Sequence, residues 1–414
     1  MNVLKLEKGH FLRDILVLMA GTGLAQFIPV LFSPLLTRIY DPAQFGIFAL
    51  YTSLNAILGT VICGRLEVAV VIPKEEDEAR DIARLSVYFS ILTSLLVYFF
   101  LFLFSGRFSG GVRDLVVFLP LSLFCYGINQ VGTYFANRHK LYKTISISKI
   151  LQSCGTVLIQ LACPLITLTL GMGLIIGAVV GQFLAAIYLG YYSGLFPILS
   201  GGQRASLKTT LKKYRKYPLL NGPTALMDSF SVFAPSIFIE MIYGPATLGL
   251  YGLALRTITI PSTLIGLSFS QIFYKQAADL NNQGQPVYPL LLKVAKRLFW
   301  LGVPIFLVLV FFAPGLYQLV FGNKWLLSGQ FARVMAFSFL VRFVASPVSS
   351  VFLVKHELRR LAVWQVVYFL IVLGISLAAR VFHLPIMELL YANVAGDLCM
   401  YVLYFYLSVQ ISKR

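Results

Sequence analysis

The chain has little charge and few residues suited to catalysis or metal binding. Only 12% of its 414 residues are charged, there are four histidines, and the five cysteines lie in apolar segments without metal-ligand spacing. No glycine-rich phosphate loop precedes a Lys-Ser or Lys-Thr pair, and no loop carries a paired-carboxylate or nucleophile–base set. These absences argue against an ATP-hydrolysing domain, a membrane glycosyltransferase or polymerase, a metal centre and a bound cofactor.

What the chain has instead is long apolar runs. Hydrophobic residues make up 58% of the sequence, and its mean hydropathy is +0.82. A soluble protein of this size could not bury so much apolar surface in one core, so most of the chain is expected to face lipid. We predict an all-α integral membrane protein with twelve transmembrane helices, each long enough for the roughly 20 residues that a bilayer helix needs. The predicted spans are 12–37, 45–66, 82–104, 115–137, 144–169, 172–198, 218–242, 247–274, 294–320, 327–354, 360–381 and 386–410.

Lysine and arginine set the predicted orientation. A net charge of +18 would suggest nucleic acid in a soluble protein, but here the basic residues edge the apolar runs, and no nucleic-acid partner is expected. With the N-terminus inside, the cytoplasmic segments hold 25 of the 34 lysines and arginines. The external segments hold five, namely Arg38, Arg107, Arg113, Lys324 and Arg380. This bias predicts a multi-pass protein whose N-terminus and C-terminus both lie in the cytoplasm.

An eleven-residue pattern occurs twice, 203 residues apart. Tyr40–Leu50 reads YDPAQFGIFAL and Tyr243–Leu253 reads YGPATLGLYGL, with Gly46 aligned to Gly249. Both copies follow one apolar span and open the next, which is typical of a duplicated transporter whose repeats share one orientation. The predicted parts are an N-terminal six-helix lobe (1–200), a basic cytoplasmic linker (201–217) and a C-terminal six-helix lobe (218–414).

Local sequence patterns predict a helix in the linker and a turn between spans 5 and 6. In the basic stretch Gln203–Tyr217, Leu207, Leu211 and Tyr214 are spaced by four and three residues. This spacing predicts an amphipathic helix on the inner leaflet. Gly171–Gly173 supplies the turn chemistry between two nearly continuous apolar runs.

Charged residues inside the spans are the main functional candidates, because each is costly in lipid. Arg256 lies about ten residues from the external turn, roughly 15 Å at helical rise, and therefore near the midplane. Arg342 is preferred to Arg333, which is nine residues away and faces the opposite side of the helix. The candidate substrate-binding residues are Arg256, Arg342, Arg65, Asn221 and Asn55. The candidate ion-coupling carboxylates are Asp228, Asp397 and Glu67.

Structural roles compete with these functional ones. Arg65 and Glu67 are equally consistent with anchoring the end of their span at the interface. Asp228 and Arg256 are also consistent with an ion pair that ties two helices together. Asn221 precedes Asp228 by seven residues on a shared helical face, which favours a polar interior at that position.

Several short pieces, each weak alone, together resemble a known family. They are Tyr40–Gly46, Arg65–Val70 running to Pro73, Lys216–Pro218, Gly249–Tyr251 followed by Ala254, Arg256 and Pro261, and Phe321–Trp325. In this order and spacing, the chain resembles a bacterial polysaccharide or O-antigen flippase (Wzx-type) of the multidrug/oligosaccharidyl-lipid/polysaccharide exporter superfamily. The resemblance covers nearly the whole length. One departure is Lys324, where the family pattern has an acidic residue before the tryptophan.

The resemblance implies a fold, a substrate and partners. The fold would be two pseudo-symmetric six-helix bundles around a central cavity that opens alternately to each side of the bacterial inner membrane. The substrate would be an oligosaccharide repeat linked to undecaprenyl pyrophosphate, for O-antigen or another surface polysaccharide. Membrane lipid, a polysaccharide polymerase and chain-length proteins are the implied partners. The protein would be a flippase and not an enzyme.

The physical chemistry of that task fits the candidate residues. Arginine binds a pyrophosphate bidentately and stays charged at any working pH. A buried carboxylate can take up a proton on one side and release it on the other. The alternative is an exporter of small drugs from the same superfamily, which should carry an excess of midplane carboxylates and no unpaired arginine. A membrane scaffold or biosynthetic enzyme is a third possibility, which the repeat and the missing site chemistry disfavour.

Overall fold

The computed structural model describes residues 2–104, 106, 115–166, 172–200, 207–355 and 357–413. Three residues named above lie outside this part, namely Arg107, Arg113 and Gly171 of the predicted turn, and so do 167–169 of the fifth predicted span and 201–206 of the linker. The described part is helical and contains no strand. The predicted all-α fold class is therefore confirmed.

Fifteen α-helices follow one another along the described chain. The first nine are α1 (Asn2–Leu31), α2 (Ser33–Ile39), α3 (Pro42–Gly59), α4 (Glu76–Leu103), α5 (Leu115–Arg138), α6 (Tyr142–Ile166), α7 (Gly173–Tyr192), α8 (Leu195–Ser200) and α9 (Leu207–Tyr214). The others are α10 (Gly222–Asn282), α11 (Tyr288–Phe321), α12 (Leu326–Val348), α13 (Val351–Val354), α14 (Leu358–Val381) and α15 (Ile386–Ser412). Short 3-10 helices cover Leu66–Val71 and Asn323–Trp325, and a π-helical turn covers Tyr217–Asn221.

Each predicted span overlaps one or more of these helices in the part of the chain that the structure describes, although the second span is α-helical only as far as Gly59. Within the described residues, nine helical segments are long and apolar enough to cross a membrane, so the chain is a multi-pass membrane protein. α10 carries two predicted spans, because its backbone breaks at Gly244 with φ 83° and ψ 172°. α3 and α5 lie on two further predicted spans without being among the nine. The count of twelve crossings stays a prediction.

The helices form two compact units. The first comprises Met1–Tyr40 and Leu50–Ser229, and the second comprises Asp41–Ala49 and Phe230–Arg414. In the first unit α6 packs along α1 and α7, while α5 packs along α4 and α7. In the second unit α12 packs along α11 and α15, and α14 packs on α15.

The second predicted span is broken. α3 ends at Gly59, although the apolar run continues to residue 66 and beyond. The chain then passes through Gly64 (φ 63°) and Arg65 (φ 59°), both in the left-handed region that favours glycine. The 3-10 helix Leu66–Val71 follows and packs against α4 and α5. The side chains of residues 65–67 are therefore held by a strained turn and not by a regular helix.

Arg138, at the end of α5, holds the segment that follows this break. Its guanidinium donates hydrogen bonds to the carbonyl oxygens of Val70 (3.2 Å) and Pro73 (2.7 Å). It also forms an ion pair with Glu76 (3.0 Å) at the first turn of α4. One side chain thus satisfies carbonyl groups that the irregular backbone leaves without a helical partner.

The two copies of the repeated pattern contact each other inside the second unit. A Cβ atom at Gly46 would lie 1.7 Å from the carbonyl oxygen of Pro245, and one at Gly249 would lie 1.8 Å from the carbonyl oxygen of Pro42. Both distances are far inside van der Waals contact, so only glycine permits this crossing of α3 and α10.

A second contact joins the first copy to the segment before α12. The rings of Phe45 and Trp325 meet edge to face with centroids 5.0 Å apart, and Trp325 is completely buried. Next to them, Lys324 forms an ion pair with Asp41 at 2.5 Å. The basic residue that departs from the family pattern therefore has an acidic partner in this chain.

The described part of the linker contains α9, which packs against α4. Leu207 and Leu211 are half-buried and Tyr214 is buried, whereas Lys213 is exposed, so the helix is amphipathic as its spacing predicts. Lys213 forms an ion pair with Glu78 at the start of α4. The hydrogen bond from Lys213 to this carboxylate raises the pKa of the lysine above its ordinary value.

Candidate functional site

The candidate residues divide between the two units. The first unit contains Asn55, Arg65, Glu67, Asn221 and Asp228. The second unit contains Arg256, Arg342 and Asp397.

The second unit brings Arg342 and Asp397 into one cluster with two tyrosines. The guanidinium carbon of Arg342, on α12, lies 5.4 Å from the ring centroid of Tyr401 on α15 and 5.6 Å from that of Phe339. Tyr368, on α14, donates a hydrogen bond of 2.8 Å to Oδ1 of Asp397. The charges of Arg342 and Asp397 interact, but no direct ion pair joins them within the described residues. We call Arg342, Asp397, Tyr368 and Tyr401 the Arg342 cluster.

Aromatic packing fixes the geometry of the Arg342 cluster. Trp364 stacks on Tyr368 (centroids 5.3 Å apart) and on Tyr404 (4.2 Å), and its ring meets Tyr401 edge to face. The indole N–H of Trp364 donates to the carbonyl oxygen of Met400 (2.9 Å). Because these rings lock the rotamers of both tyrosines, the hydrogen bond to Asp397 is preorganised.

The second copy of the repeat contributes Tyr251 to the same region. Its side chain is 7% exposed, and its phenol interacts electrostatically with both Arg342 and Asp397. The cluster therefore draws on α10, α12, α14 and α15. It offers one cation, one carboxylate and phenolic hydroxyls in an apolar surrounding, which are groups able to bind an anion or exchange a proton.

Arg256 lies on α10, five residues after Tyr251. It is half-buried, and its guanidinium makes no hydrogen bond or ion pair with any residue that the structure describes. A guanidinium in an apolar helix is costly unless something pairs with it. The arrangement therefore leaves Arg256 able to bind an anion.

Asn55 lies in a buried polar network of the first unit. Its amide donates to the hydroxyl oxygens of Ser122 and Tyr51, and Tyr51 in turn donates to Ser122 (2.5 Å). Ser122 then donates to Oε1 of Gln182 (2.6 Å). Asn55 is only 5% exposed. Its amide is committed to packing α3 against α5 and α7, so a substrate contact would require this network to open.

Arg65 and Glu67 occupy the broken part of the second span. Their side chains form a long ion pair of 3.8 Å, with Glu67 almost completely buried and Arg65 half-exposed. Oε2 of Glu67 is buried and has no hydrogen-bond partner in the described part of the protein. Glu67 is thus a buried carboxylate whose second oxygen is unsatisfied beside a basic neighbour, and Asp81, which pairs with Arg84, is another in the same unit.

Asn221 and Asp228 are exposed on the surface of the first unit, where the sequence predicts burial within a span. Asn221 ends the π-helical turn that precedes α10. Next to Asp228, Ser229 donates to the carbonyl oxygen of Ala56 (3.2 Å) and accepts from Thr60 (3.0 Å). This start of α10 is therefore tied to α3 through Ser229, and the neighbouring Asp228 is exposed.

Two features in the spans escape sequence reasoning. Arg84 and Asp81 form a buried ion pair of 3.0 Å, and Arg84 also donates to the carbonyl oxygen of Ile198 (2.9 Å). Lys149 is half-buried in α6 and has no ion-pair partner in the described residues. Lys149 and Arg84 lie near the predicted cytoplasmic ends of their spans. At such positions the sequence alone does not distinguish a buried charge from a surface charge. The described residues contain no group of three His, Cys, Asp or Glu able to hold a metal.

These helices and their intramembrane charges define a polytopic α-helical transporter fold. The chain is similar to the lipid II flippase MurJ in an inward closed conformation, with a TM-score of 0.72 at 14% identity over 96% of this chain and 87% of that one. It is also similar to an inward-facing multidrug resistance MATE family transporter of the MOP superfamily, with a TM-score of 0.67 at 16% identity over 95% and 94% of the two chains. At these identities, the likeness establishes the fold.

The family of polysaccharide biosynthesis proteins matches residues 35–330, and the chain belongs to that family. The teichuronic acid biosynthesis protein TuaB of Bacillus subtilis (strain 168) is 25% identical over 171 residues, which cover 41% of this chain. The match spans about a third of that relative, 35% of its length. The resemblance predicted from the sequence is thereby confirmed at the level of the family and the superfamily fold.

Proposed function

We propose that the protein flips oligosaccharide repeat units, linked to undecaprenyl pyrophosphate, across the bacterial inner membrane by alternating access. Membership of the polysaccharide biosynthesis family supports the sugar, and the fold shared with a lipid II flippase supports a lipid-linked cargo. Such a cargo combines a polar sugar, a dense anionic pyrophosphate and a lipid tail. The protein therefore needs an anion-binding group inside its apolar region and no catalytic machinery.

The observation that carries this proposal is the state of Arg256. It is half-buried on an apolar helix, and no described residue pairs with its guanidinium. A planar guanidinium can engage a pyrophosphate with two parallel hydrogen bonds. We assign Arg256 to the pyrophosphate and Arg342, with Arg65, to further anionic or hydroxyl groups of the cargo. Asn55 and Asn221 are proposed as polar contacts to the sugar.

The test is surface polysaccharide in cells whose own copy of the gene is deleted. Arg256→Ala is expected to reduce the polysaccharide at least about tenfold while the protein still inserts, because the loss of one charged hydrogen-bonding partner costs roughly 1.5–3 kcal/mol. Arg256→Lys should restore part of the activity, since a point charge lacks the fork. Arg333→Ala, which removes an exposed arginine, is the matched control and should remain active. Full activity of Arg256→Ala would exclude the assigned role.

Export of a small molecule is the second candidate function, because the fold is similar to a multidrug resistance transporter over 95% of this chain. The two functions predict different substrates for the same purified protein. Vesicles that contain the protein should translocate an undecaprenyl-pyrophosphate-linked oligosaccharide and should not extrude cationic dyes. Dye extrusion without lipid-linked transport would favour the exporter.

Ion coupling is proposed to use a carboxylate, with Asp228, Asp397 and Glu67 as the candidates. The geometry favours Asp397, because it is half-buried, hydrogen-bonded to Tyr368 and within the field of Arg342. Binding of an anionic cargo at Arg342 would remove part of that field and so favour protonation of the carboxylate. This positive linkage makes cargo and proton bind together, and it gives coupling between their movements a physical basis.

A further inference from the structure

We propose that a basic cavity on α11 binds the headgroup of an anionic phospholipid. The cavity has a volume of about 540 Å³ and is lined by Lys293, Lys296, Arg297, Trp300 and Leu301. This inference is independent of the proposed flipping activity, because it concerns a fixed face of one helix and a lipid of the surrounding membrane.

The register of α11 fixes these residues on one face. At 100° per residue, positions 293, 296, 297, 300 and 301 fall within an arc of roughly 140°. On the other side of the helix, Leu291, Val294 and Leu298 are buried against the rest of the unit. Since the buried side is fixed by packing, the basic side faces away from the core of the unit.

The polar end of the cavity carries three cations that the protein leaves available. Lys293, Lys296 and Arg297 are exposed, and none of them forms an ion pair within the part of the chain that the structure describes. A fourth cation stands at the same end, where Lys413 lies 4.9 Å from the ring centroid of Tyr288. Three unpaired cations around one cavity attract a phosphate group more strongly than scattered surface lysines do.

The other end of the cavity is apolar. The side chain of Trp300 is 65% exposed and that of Leu301 is 42% exposed, one turn further into the apolar part of α11. Exposed tryptophan at this position is typical of the interface between headgroups and acyl chains. The order of cations, then tryptophan, then leucine along the helix matches the order of phosphate, glycerol and acyl chain in a phospholipid.

Free phosphate would satisfy only the polar end, and this difference favours the lipid. A phosphate ion gains no apolar contact from Trp300 and Leu301, whereas a phospholipid contacts both ends of the cavity at once. The occupant is therefore an anionic phospholipid such as phosphatidylglycerol, taken from the leaflet that surrounds this end of α11. A zwitterionic lipid of the same size should bind less well, because its own ammonium group repels the three cations.

The experiment measures phospholipid binding to the purified full-length protein in detergent by native mass spectrometry. Phosphatidylglycerol is titrated against the wild type and the variant Lys296→Gln/Arg297→Gln, with phosphatidylcholine as the reference lipid. We expect the variant to lose roughly 25-fold in affinity for phosphatidylglycerol, since each basic residue near an anionic headgroup contributes about a fivefold preference. Arg38→Gln/Arg380→Gln removes two exposed charges elsewhere and should bind like the wild type.

Further variants keep the test decisive. Lys293→Gln alone should weaken binding by about fivefold, and Trp300→Ala should weaken it without changing the charge. Inorganic phosphate, added at the concentration of the lipid, should not displace it. Equal affinities of the basic-face variants and the Arg38/Arg380 control would overturn the proposal, and so would displacement by inorganic phosphate. Flipping is not part of this measurement, so an inactive Arg256→Ala protein should still bind the lipid.

Discussion

At the scale of single residues, the protein gives arginine three different environments. The guanidinium of Arg138 donates hydrogen bonds to backbone carbonyl groups of an irregular segment and forms an ion pair with a carboxylate at its end. Arg342 lies between two aromatic rings. Arg256 has no partner among the described residues. The three environments predict a structural role for the first residue, a positioned charge for the second and a ligand contact for the third.

Replacing Arg138 should therefore affect stability. Arg138→Lys keeps the charge but cannot reach Val70, Pro73 and Glu76 together, so we expect a loss of roughly 2–4 kcal/mol from charged hydrogen bonds. Thermal unfolding of the purified protein in detergent measures this loss. Arg80→Lys is the control, because the side chain of Arg80 is 46% exposed and its pairs are long. An equal shift of the melting temperature in both variants would contradict the structural role.

Replacing Asp397 should affect coupling. Asp397→Asn keeps the size of the side chain but removes the charge, so the response of flipping in vesicles to an imposed pH gradient is expected to disappear. Asp228→Asn is the matched comparison, because Asp228 is exposed and should respond like the wild type. Tyr368→Phe removes the hydrogen bond to Asp397 and should shift the pH profile without abolishing transport.

Two outcomes would contradict this ordering of the carboxylates. Loss of the gradient response in Asp228→Asn alone would restore Asp228 as the coupling residue, which is the first choice from the sequence. If flipping by the wild-type protein does not respond to the pH gradient, proton coupling at all three carboxylates is excluded.

At the scale of elements, the sequence predicts one helix interruption and misses another. α10 breaks at Gly244, whose φ of 83° and ψ of 172° are not helical, and this position lies between the predicted spans 218–242 and 247–274. α3 ends at Gly59 inside a continuous apolar run, and no proline or polar cluster marks the turn at Gly64 and Arg65. The 3-10 helix that follows this turn packs against α4 and α5, so tertiary contacts decide where α3 stops.

The crossing of α3 and α10 predicts an unusually costly alanine. In Gly249→Ala the new methyl group would meet the carbonyl oxygen of Pro42, a backbone atom that cannot rotate away. We expect a loss of about 3 kcal/mol or more in the free energy of unfolding, measured by the yield of folded protein and its melting temperature. Gly315→Ala, on α11, has no neighbouring atom within 4 Å and should be neutral or slightly stabilising. Equal behaviour of the two variants would show that the helices can separate at little cost.

The positions of the helices could be predicted from the sequence, and the surroundings of polar residues could not. Apolar runs and turn residues place a helix in each predicted span, because lipid forces backbone groups into helical hydrogen bonds, but they miss the break after Gly59. Periodicity does not tell a packed polar network from a wet surface, and so it misses the burial of Asn55 and the exposure of Asp228. It likewise misses the partner of Lys324, since Asp41 lies 283 residues away in sequence.

At the scale of the whole molecule, the asymmetry of charge predicts the topology. The lysines and arginines cluster at segments that precede α6, α10 and α11, while few lie after α2, α11 and α14. Charged headgroups and the insertion machinery favour cytoplasmic placement of such segments. This asymmetry predicts that both termini face the cytoplasm.

Reporter fusions test that orientation. A fluorescent protein fused after the C-terminal residue should be bright, and alkaline phosphatase at the same position should be inactive. Phosphatase inserted after Gly322, between α11 and α12, should be active, because this segment is predicted to be external. Active phosphatase at the C-terminus would reverse the predicted topology and move the basic cavity of α11 to the outer leaflet.

The glycine crossing also bears on the origin of the chain. Gly46 of the first copy approaches Pro245 of the second copy. Gly249, which aligns with Gly46, approaches Pro42, which aligns with Pro245. The same two positions of the pattern therefore meet twice, with the roles of the two copies exchanged. This reciprocity is the signature of an isologous interface in a symmetric homodimer. A half-length polypeptide with a single copy of the pattern would already carry both sides of the contact. We therefore predict that the repeat arose by duplication, which would join in one chain an interface that two identical subunits could form by themselves.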